Sequence, residues 1–309
     1  MTLAVKHNKS LSVLASFGVG GVAEHFVRIR GEALPEALAW AEEQALPFRV
    51  IGSATNVVFP NYLPGLLIQL DGGEVRNGGQ NELVADAGVP LQALVDAANA
   101  RGLKGLETLA GIPGTVGGAV VGNAGAYGRE IKDTLVSATV FTRYSVSSTK
   151  YRVLSKKECR FAYRESVFKH EPLIITEARF RFFDEAAPAW LTAASDDIIK
   201  KRAEKYRPGL KCPGSFFKNI PAKDAPPAFL EKIDAAKIIC GKIPTGYLLE
   251  VAGAKGLCAH DICVSDFHGN LILNKGRGTP EDVERLAEKL KTLVRERWGI
   301  TLEEEVRYL

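Results

Sequence analysis

The sequence predicts an α+β protein: a two-part N-terminal region followed by an α/β C-terminal domain. Three observations lead there. Residues 23–70 follow a strand–helix–strand–strand order, residues 82–182 mix strands with one helix and a long Gly-rich run, and the last third carries its own capped helix. The segments are set at 1–75, 76–190 and 191–309, within the usual range for parts of a 309-residue chain.

The elements follow in order. AEHFVRI (23–29) reads as a strand. The stretch 33–45 places Leu34, Leu38 and Ala41 on one face and reads as a helix. FRVIG (48–52) is a buried strand running into a polar turn, and GLLIQL (65–70) is another strand. Glycines at 72–73 and 78–79 mark turns. LVADA (83–87) is a strand, and 90–101 is a helix with Leu91, Leu94, Val95 and Ala98 on one face. Strand-like runs recur near 135–142, 150–154 and 173–182, and a boundary is expected near 184–196. Residues 220–247 read as a connector. Thr279 is an N-cap, Pro280 fits the first helical position and Asp282 completes a capping box. Val283, Leu286, Leu290, Leu293 and Val294 then keep helical spacing up to the stop at Gly299. ITLEEEVRYL is expected as a last strand, with Glu305 the acidic residue that turns inward.

Composition narrows the function. Lys and Arg number 40 against 36 for Asp and Glu, so the net charge is only +4 and binding of nucleic acid through bulk charge is excluded. Five cysteines form no CxxC pair; no disulfide framework and no metal site are expected, and the reading is a cytoplasmic protein. The N-terminus lacks a secretory apolar core. Residues 108–128 are uncharged and long enough to span a membrane, but seven glycines and Pro113 argue for a loop instead.

That run, GIPGTVGGAVVGNAGAYG (111–128), is the densest chemical signal. Glycines let the backbone approach a phosphate closely, and the spacing is neither GxGxxG nor a Walker A loop. A second small-residue loop, GSATN (52–56), follows the strand FRVI. Together they suggest two loops gripping one extended diphosphate cofactor. The first would use Ile51, Gly52, Ser53, Ala54, Thr55 and Asn56. The second would use Ile112, Pro113, Gly114, Thr115, Gly117 and Gly118, then Asn123, Gly125 and Ala126. FAYRESVFK (161–169) sets Tyr163 and Arg164 between apolar residues; the arginine either pairs with a structural carboxylate or binds an anion in a pocket. Residues 200–218, including Arg202, carry a local balance of +6 and lead into PGSFFKN; a small polyanion would be steered there. Ser215 has no GxSxG elbow, so a hydrolase triad is unsupported.

Taken together, these segments resemble the UDP-N-acetylenolpyruvoylglucosamine reductases, the FAD-dependent UDP-N-acetylmuramate dehydrogenases of peptidoglycan synthesis. The resemblance runs from SFGVGGVAEHFV to EEEVRYL and is most specific in AGIPGTVGGAVVGNAGAYGREI, FAYRESVFK and GSFFKN. It implies a two-part FAD-binding domain of the vanillyl-alcohol-oxidase type, then a substrate domain, in the compact subtype without an extra substrate-closing loop. It implies non-covalent FAD, since no His or Cys stands in the Gly-rich run, with NADPH as hydride donor and a nucleotide sugar as substrate. No nucleic acid, membrane insertion or obligate protein partner is implied. Hydride would pass from flavin N5 to the enol ether, Ser215 would be the proton donor, and Arg164 and Glu305 would shape the developing charge. Tyr163, Arg202, Lys218 and Asn219 would contact substrate. Two places depart from the family: its Gly-Gly-Gly-Ser-Asn loop reads GSATN, and its Gln-Pro before the serine reads Arg207-Pro208. The rivals are another FAD-dependent sugar or alcohol oxidoreductase of the same fold, and a non-catalytic nucleotide-binding module.

Overall fold

The apolar runs of residues 22–70 form one helix and, with Lys6–Ser10, a four-stranded sheet in the computed structural model, which describes residues 3–142 and 150–309. The strands lie in the order Lys6–Ser10, Val22–Ile29, Tyr62–Leu70, Phe48–Ile51. Helix α1 (Leu34–Glu43) buries Leu34, Ala37, Leu38 and Ala41, the face its spacing predicts. Phe48–Ile51 runs parallel to Leu66–Gln69, so the GSATN loop leaves the C-terminal end of a parallel strand; that strand was expected to be buried, but it lies at the sheet edge with only Ile51 buried and Arg49 exposed.

A five-stranded antiparallel sheet follows, in the order Lys150–Ser155, Leu135–Thr142, Leu173–Arg181, Glu82–Asp86, Val75–Gly79. Helix α2 (Leu91–Ala100) buries Leu91, Leu94, Val95 and Ala98. Two elements differ from expectation. Inside the Gly-rich run a short helix forms, α3 (Val116–Val121), burying Val116, Ala119 and Val120. Its glycines argue against a helix, but a Thr115 cap and the buried face outweigh propensity over so short a span. The boundary expected near 184–196 is instead mostly helix, because α4 (Pro188–Lys205) buries Leu191, Ser195 and Ile198 at helical spacing and Pro188 occupies its first turn.

The chain divides into two units: residues 1–9, 23–53 and 64–204, and residues 10–22, 54–63 and 205–309. The 1–75 segment therefore contributes to both, and the 190/191 boundary falls inside α4. Each unit has its own apolar core, the first around Leu66, Ile68, Leu94, Leu106 and Phe180, the second around Phe17, Phe216, Leu248, Ile272 and Leu286.

In the second unit, the connector 220–247 pairs Ile220–Pro221 with Lys242–Ile243 around a short helix, α5 (Pro227–Leu230), that buries Phe229. Helices α6 (Thr245–Val251) and α7 (Pro280–Trp298) accompany a three-stranded antiparallel sheet, Cys258–Ala259, Ile262–Val264 and Ile272–Asn274. Two further corrections belong here. Cys258 and Cys263 face each other across the first hairpin, with Cα atoms 4.1 Å apart, and form a disulfide where none was expected. A two-residue turn at His260–Asp261 makes that spacing a cross-strand pair, which a search for CxxC misses. The expected last strand is a strand only at Arg307–Tyr308, parallel to Val57–Val58, with an isolated bridge at Glu304. Its buried positions are Leu302 and Val306, and between them Glu304, not Glu305, is the carboxylate turned to Lys291 of α7, at 2.7 Å. Among the described residues no helix is long and apolar enough to cross a membrane, and no cluster of three His, Cys, Asp or Glu side chains could hold a metal.

Candidate active site

In the first unit, side-chain hydrogen bonds tie the Gly-rich run to the FAYRES segment. Asn123 Nδ2 donates to Ala162 O at 2.7 Å, Arg164 Nη2 to Gly125 O at 2.7 Å, and Ser166 Oγ to Val121 O at 2.7 Å. Asn123 is fully buried and also contacts Glu130 and Lys132, so its side chain fixes the loop. Arg164 sits at the corner of a tight turn in which Ala162 and Glu165 exchange backbone hydrogen bonds of 3.1 Å each. Its φ is 55°, its guanidinium lies 5.3 Å from the Tyr163 ring, and Lys169 Nζ holds its carbonyl at 2.6 Å.

The two loops expected to bind a cofactor begin side by side. A Cβ on Gly52 would meet Thr115 Oγ1 at 2.3 Å, and Gln69 Nε2 donates to the Gly52 carbonyl at 3.0 Å while Gln69 Oε1 accepts from Arg28 Nε at 2.9 Å. Gln69 was missed from sequence; its signal is the one polar side chain in the apolar strand GLLIQL. Glycines in the run have different causes. At Gly117 a Cβ would strike Ala87 at 2.9 Å, and the Val116 and Gly117 amides already donate to Val89 and Ala87. At Gly118 a Cβ would meet nothing closer than 3.5 Å and the residue is exposed, so protein packing does not demand glycine there. A bound group lying over the backbone would. A diphosphate cofactor such as FAD fits this arrangement. Arg202 of α4 donates from Nε to Gly111 O at 3.0 Å, bracing the start of the same run.

In the second unit, Ala54, Thr55 and Asn56 continue the GSATN loop. Ala54 adopts φ 53°, the left-handed conformation, at a position where the resembled loop carries glycine. Asn56 Nδ2 donates to Glu305 O at 3.1 Å, and Asn56 O accepts from Arg307 N at 3.1 Å. Ser215, Glu305, Lys218 and Asn219 gather around one extended segment. Phe216 N donates to Asn270 O at 3.1 Å, Glu305 N to Phe216 O at 2.8 Å and Lys218 N to Glu303 O at 2.8 Å. Buried Asn270 adds a reciprocal pair with the Phe217 backbone, both at 2.8 Å. Glu305 is half-buried beside this segment. The Lys218 ammonium pairs with Glu303, and Asn219 Oδ1 accepts from Thr245 N at 3.2 Å, at the start of α6.

The Ser215 hydroxyl has two polar neighbours that sequence reasoning did not single out as such. Lys205 Nζ is 3.2 Å away and Tyr206 OH 3.0 Å. His268 is also here; burial first, then the nearby Lys205 charge, pushes its pKa down to about 4, so it is neutral and its Nδ1 accepts from Asn270 N at 3.1 Å. Burial raises the Cys212 thiol pKa, and the Lys205 charge acts against that rise. No local sequence signal marks these residues, because turns and bridges bring them together.

Comparison with known proteins agrees with this anatomy. Residues 206–309 match the UDP-N-acetylenolpyruvoylglucosamine reductase C-terminal domain, and residues 30–144 match an FAD binding domain. A UDP-N-acetylenolpyruvoylglucosamine reductase of Solibacter usitatus is 41% identical, the alignment covering 99% of this chain and 97% of that one. One of Gloeobacter violaceus is 33% identical over 97% and 94%. The crystal structure of UDP-N-acetylenolpyruvylglucosamine reductase from Thermus caldophilus superposes with a TM-score of 0.74 at 31% identity, covering 99% of each chain. With the Gly-rich run, the FAYRES turn and the clamped GSFFKN segment all in place, the chain belongs to the UDP-N-acetylenolpyruvoylglucosamine reductase family.

Proposed function

We propose that the protein reduces UDP-N-acetylglucosamine enolpyruvate to UDP-N-acetylmuramate for peptidoglycan synthesis, with NADPH as electron source and non-covalent FAD as carrier. The observation that carries this reading is the Ser215 hydroxyl, set on a segment clamped from both sides and in contact with an ammonium and a phenol. Bound FAD supplies the hydride, taken from NADPH, for the enolpyruvyl double bond.

The chain's own residues do the rest. The loops 51–56 and 112–126 hold the cofactor, with the open backbone at Gly118 nearest to a purely ligand-driven role. Addition of hydride to the β-carbon leaves negative charge on the α-carbon, spread into the adjacent carboxylate. Arg164 offers a permanent positive charge to that carboxylate. Ser215 gives its Oγ proton to the α-carbon, and a positioned acid of this kind contributes roughly 10²–10⁴-fold. Glu305 shapes the same charge through its protonated form or a water. Tyr163, Lys218 and Asn219 meet the substrate, and Arg202 acts on its binding by bracing Gly111. NADPH and a nucleotide sugar are both soluble metabolites, and we assign the enzyme to the cytoplasm.

The test is spectroscopic. Purified protein should be yellow, NADPH should bleach it without oxygen, and the enolpyruvyl substrate should restore the colour. Acid should release the flavin into solution. A colourless protein, or colour that stays with the precipitate, would contradict the proposal.

A further inference from the structure

A serine hydroxyl carries one proton and two acceptor lone pairs. Lys205 can only donate, so its contact at 3.2 Å occupies one lone pair of Ser215 Oγ. Tyr206 OH, at 3.0 Å, can donate to the other. With both filled, the serine proton is the only one Oγ can give to a third group. The two neighbours come from one short stretch: Lys205 ends α4, Tyr206 is the next residue, and the Lys205 ammonium lies 4.9 Å from the Tyr206 ring. The same ammonium is felt at His268 and Cys212, so its charge acts on the whole surroundings of Ser215.

We propose that Lys205 and Tyr206 are the positioning pair that makes Ser215 a proton donor: Lys205 stabilises the alkoxide left on Oγ, and Tyr206 returns a proton to it. The inference rests on the proposed role of Ser215. In the step, the Ser215 O–H bond breaks and a C–H bond forms with the electron pair on the substrate α-carbon. The alkoxide then takes the phenol proton of Tyr206, and the phenolate is reprotonated by water. No oxidant or reductant beyond the hydride already delivered is needed. Neither residue was assigned a chemical role by the sequence motifs; Lys205 was one charge in a basic run.

Two measurements test this. In the holoenzyme, flavin reoxidation by the enolpyruvyl substrate should slow by about 10²-fold in Lys205→Met and Lys205→Gln, the scale for losing a fixed donor facing developing charge. Lys205→Arg should recover most of that loss, and Tyr206→Phe should slow the step by about tenfold, at the low end for a lost proton-transfer group. Independently of turnover, Ser215→Cys introduces a thiol at the same place, whose titration can be followed by ultraviolet absorbance of the thiolate. Adding Lys205→Met to Ser215→Cys should raise its titration midpoint by about one pH unit or more, because a nearby cation favours the thiolate. An unchanged midpoint, or unaltered reoxidation in both Lys205 variants, would overturn the inference while leaving Ser215 as donor. A Ser215→Ala enzyme that reoxidises normally would instead overturn the reading on which the inference stands.

Discussion

Arg164 stands at φ 55° in a turn corner where glycine is the usual occupant, which costs an ordinary side chain about 1–2 kcal/mol. Strain at such a position is tolerated where the side chain is required. Arg164→Gly should therefore lower unfolding free energy by no more than about 2 kcal/mol, since relief of strain offsets much of the lost charge-assisted hydrogen bond to Gly125 O, worth about 1.5–3 kcal/mol. Substrate reduction should nonetheless fall by about 10²-fold or more. Denaturant titration beside steady-state assay separates the two effects; a large stability loss would mark Arg164 as a structural arginine. His268 makes a pH prediction. Its folded pKa, about 4, lies below its unfolded value, so the unfolded chain binds more protons between about pH 6.5 and 4. The stability contributed by neutral His268 is present above that window and is lost as pH falls through it, by about 1–2 kcal/mol after allowance for solvent screening. His268→Asn should flatten the slope of stability against pH there; an unchanged slope would assign it to other groups. At this scale Arg164 and Ser215 stood out as candidates because their motifs are local. Lys205 and Tyr206 did not, because no motif marks the turn that brings them to Ser215, and His268 and Asn270 did not, because they reach this segment from far along the chain.

Helix α7 was legible almost to the residue. Thr279 Oγ1 accepts from Asp282 N at 3.2 Å, Asp282 Oδ2 accepts from Thr279 N at 3.1 Å, and Gly299 takes φ 74° beyond the last turn. Thr279→Ala should cost about 1 kcal/mol, measured by chemical denaturation. No change would mean that water or another group satisfies the first turn equally well. Elements without such signals were misread. α3 is hidden under glycines because its stability comes from the buried Val116–Ala119–Val120 face and not from propensity. α4 is hidden because its alanine- and aspartate-rich start looks like a linker, although Leu191, Ser195 and Ile198 lie on one helical face. The C-terminal segment was read as one strand because its residues alternate. It pairs only at Glu304 and Arg307–Tyr308, and the alternation turns Glu304 toward Lys291.

At the scale of the molecule, sequence order suggests consecutive segments, yet residues 10–22 and 54–63 belong with 205–309. Such exchange leaves no compositional trace: it rests on a few apolar residues, Phe17, Val19 and Val58, that enter the second core. The proposed reaction needs a proton after hydride transfer, a role we assign to Ser215, and one measurement addresses that assignment directly. Stopped-flow absorbance of the flavin in Ser215→Ala should show reduction by NADPH at close to the parent rate. Reoxidation by the enolpyruvyl substrate should be slowed by roughly 10²–10⁴-fold or more, the range for a lost proton donor. Equal slowing of both half-reactions, or unimpaired reoxidation, would contradict the assignment of Ser215 as the acid.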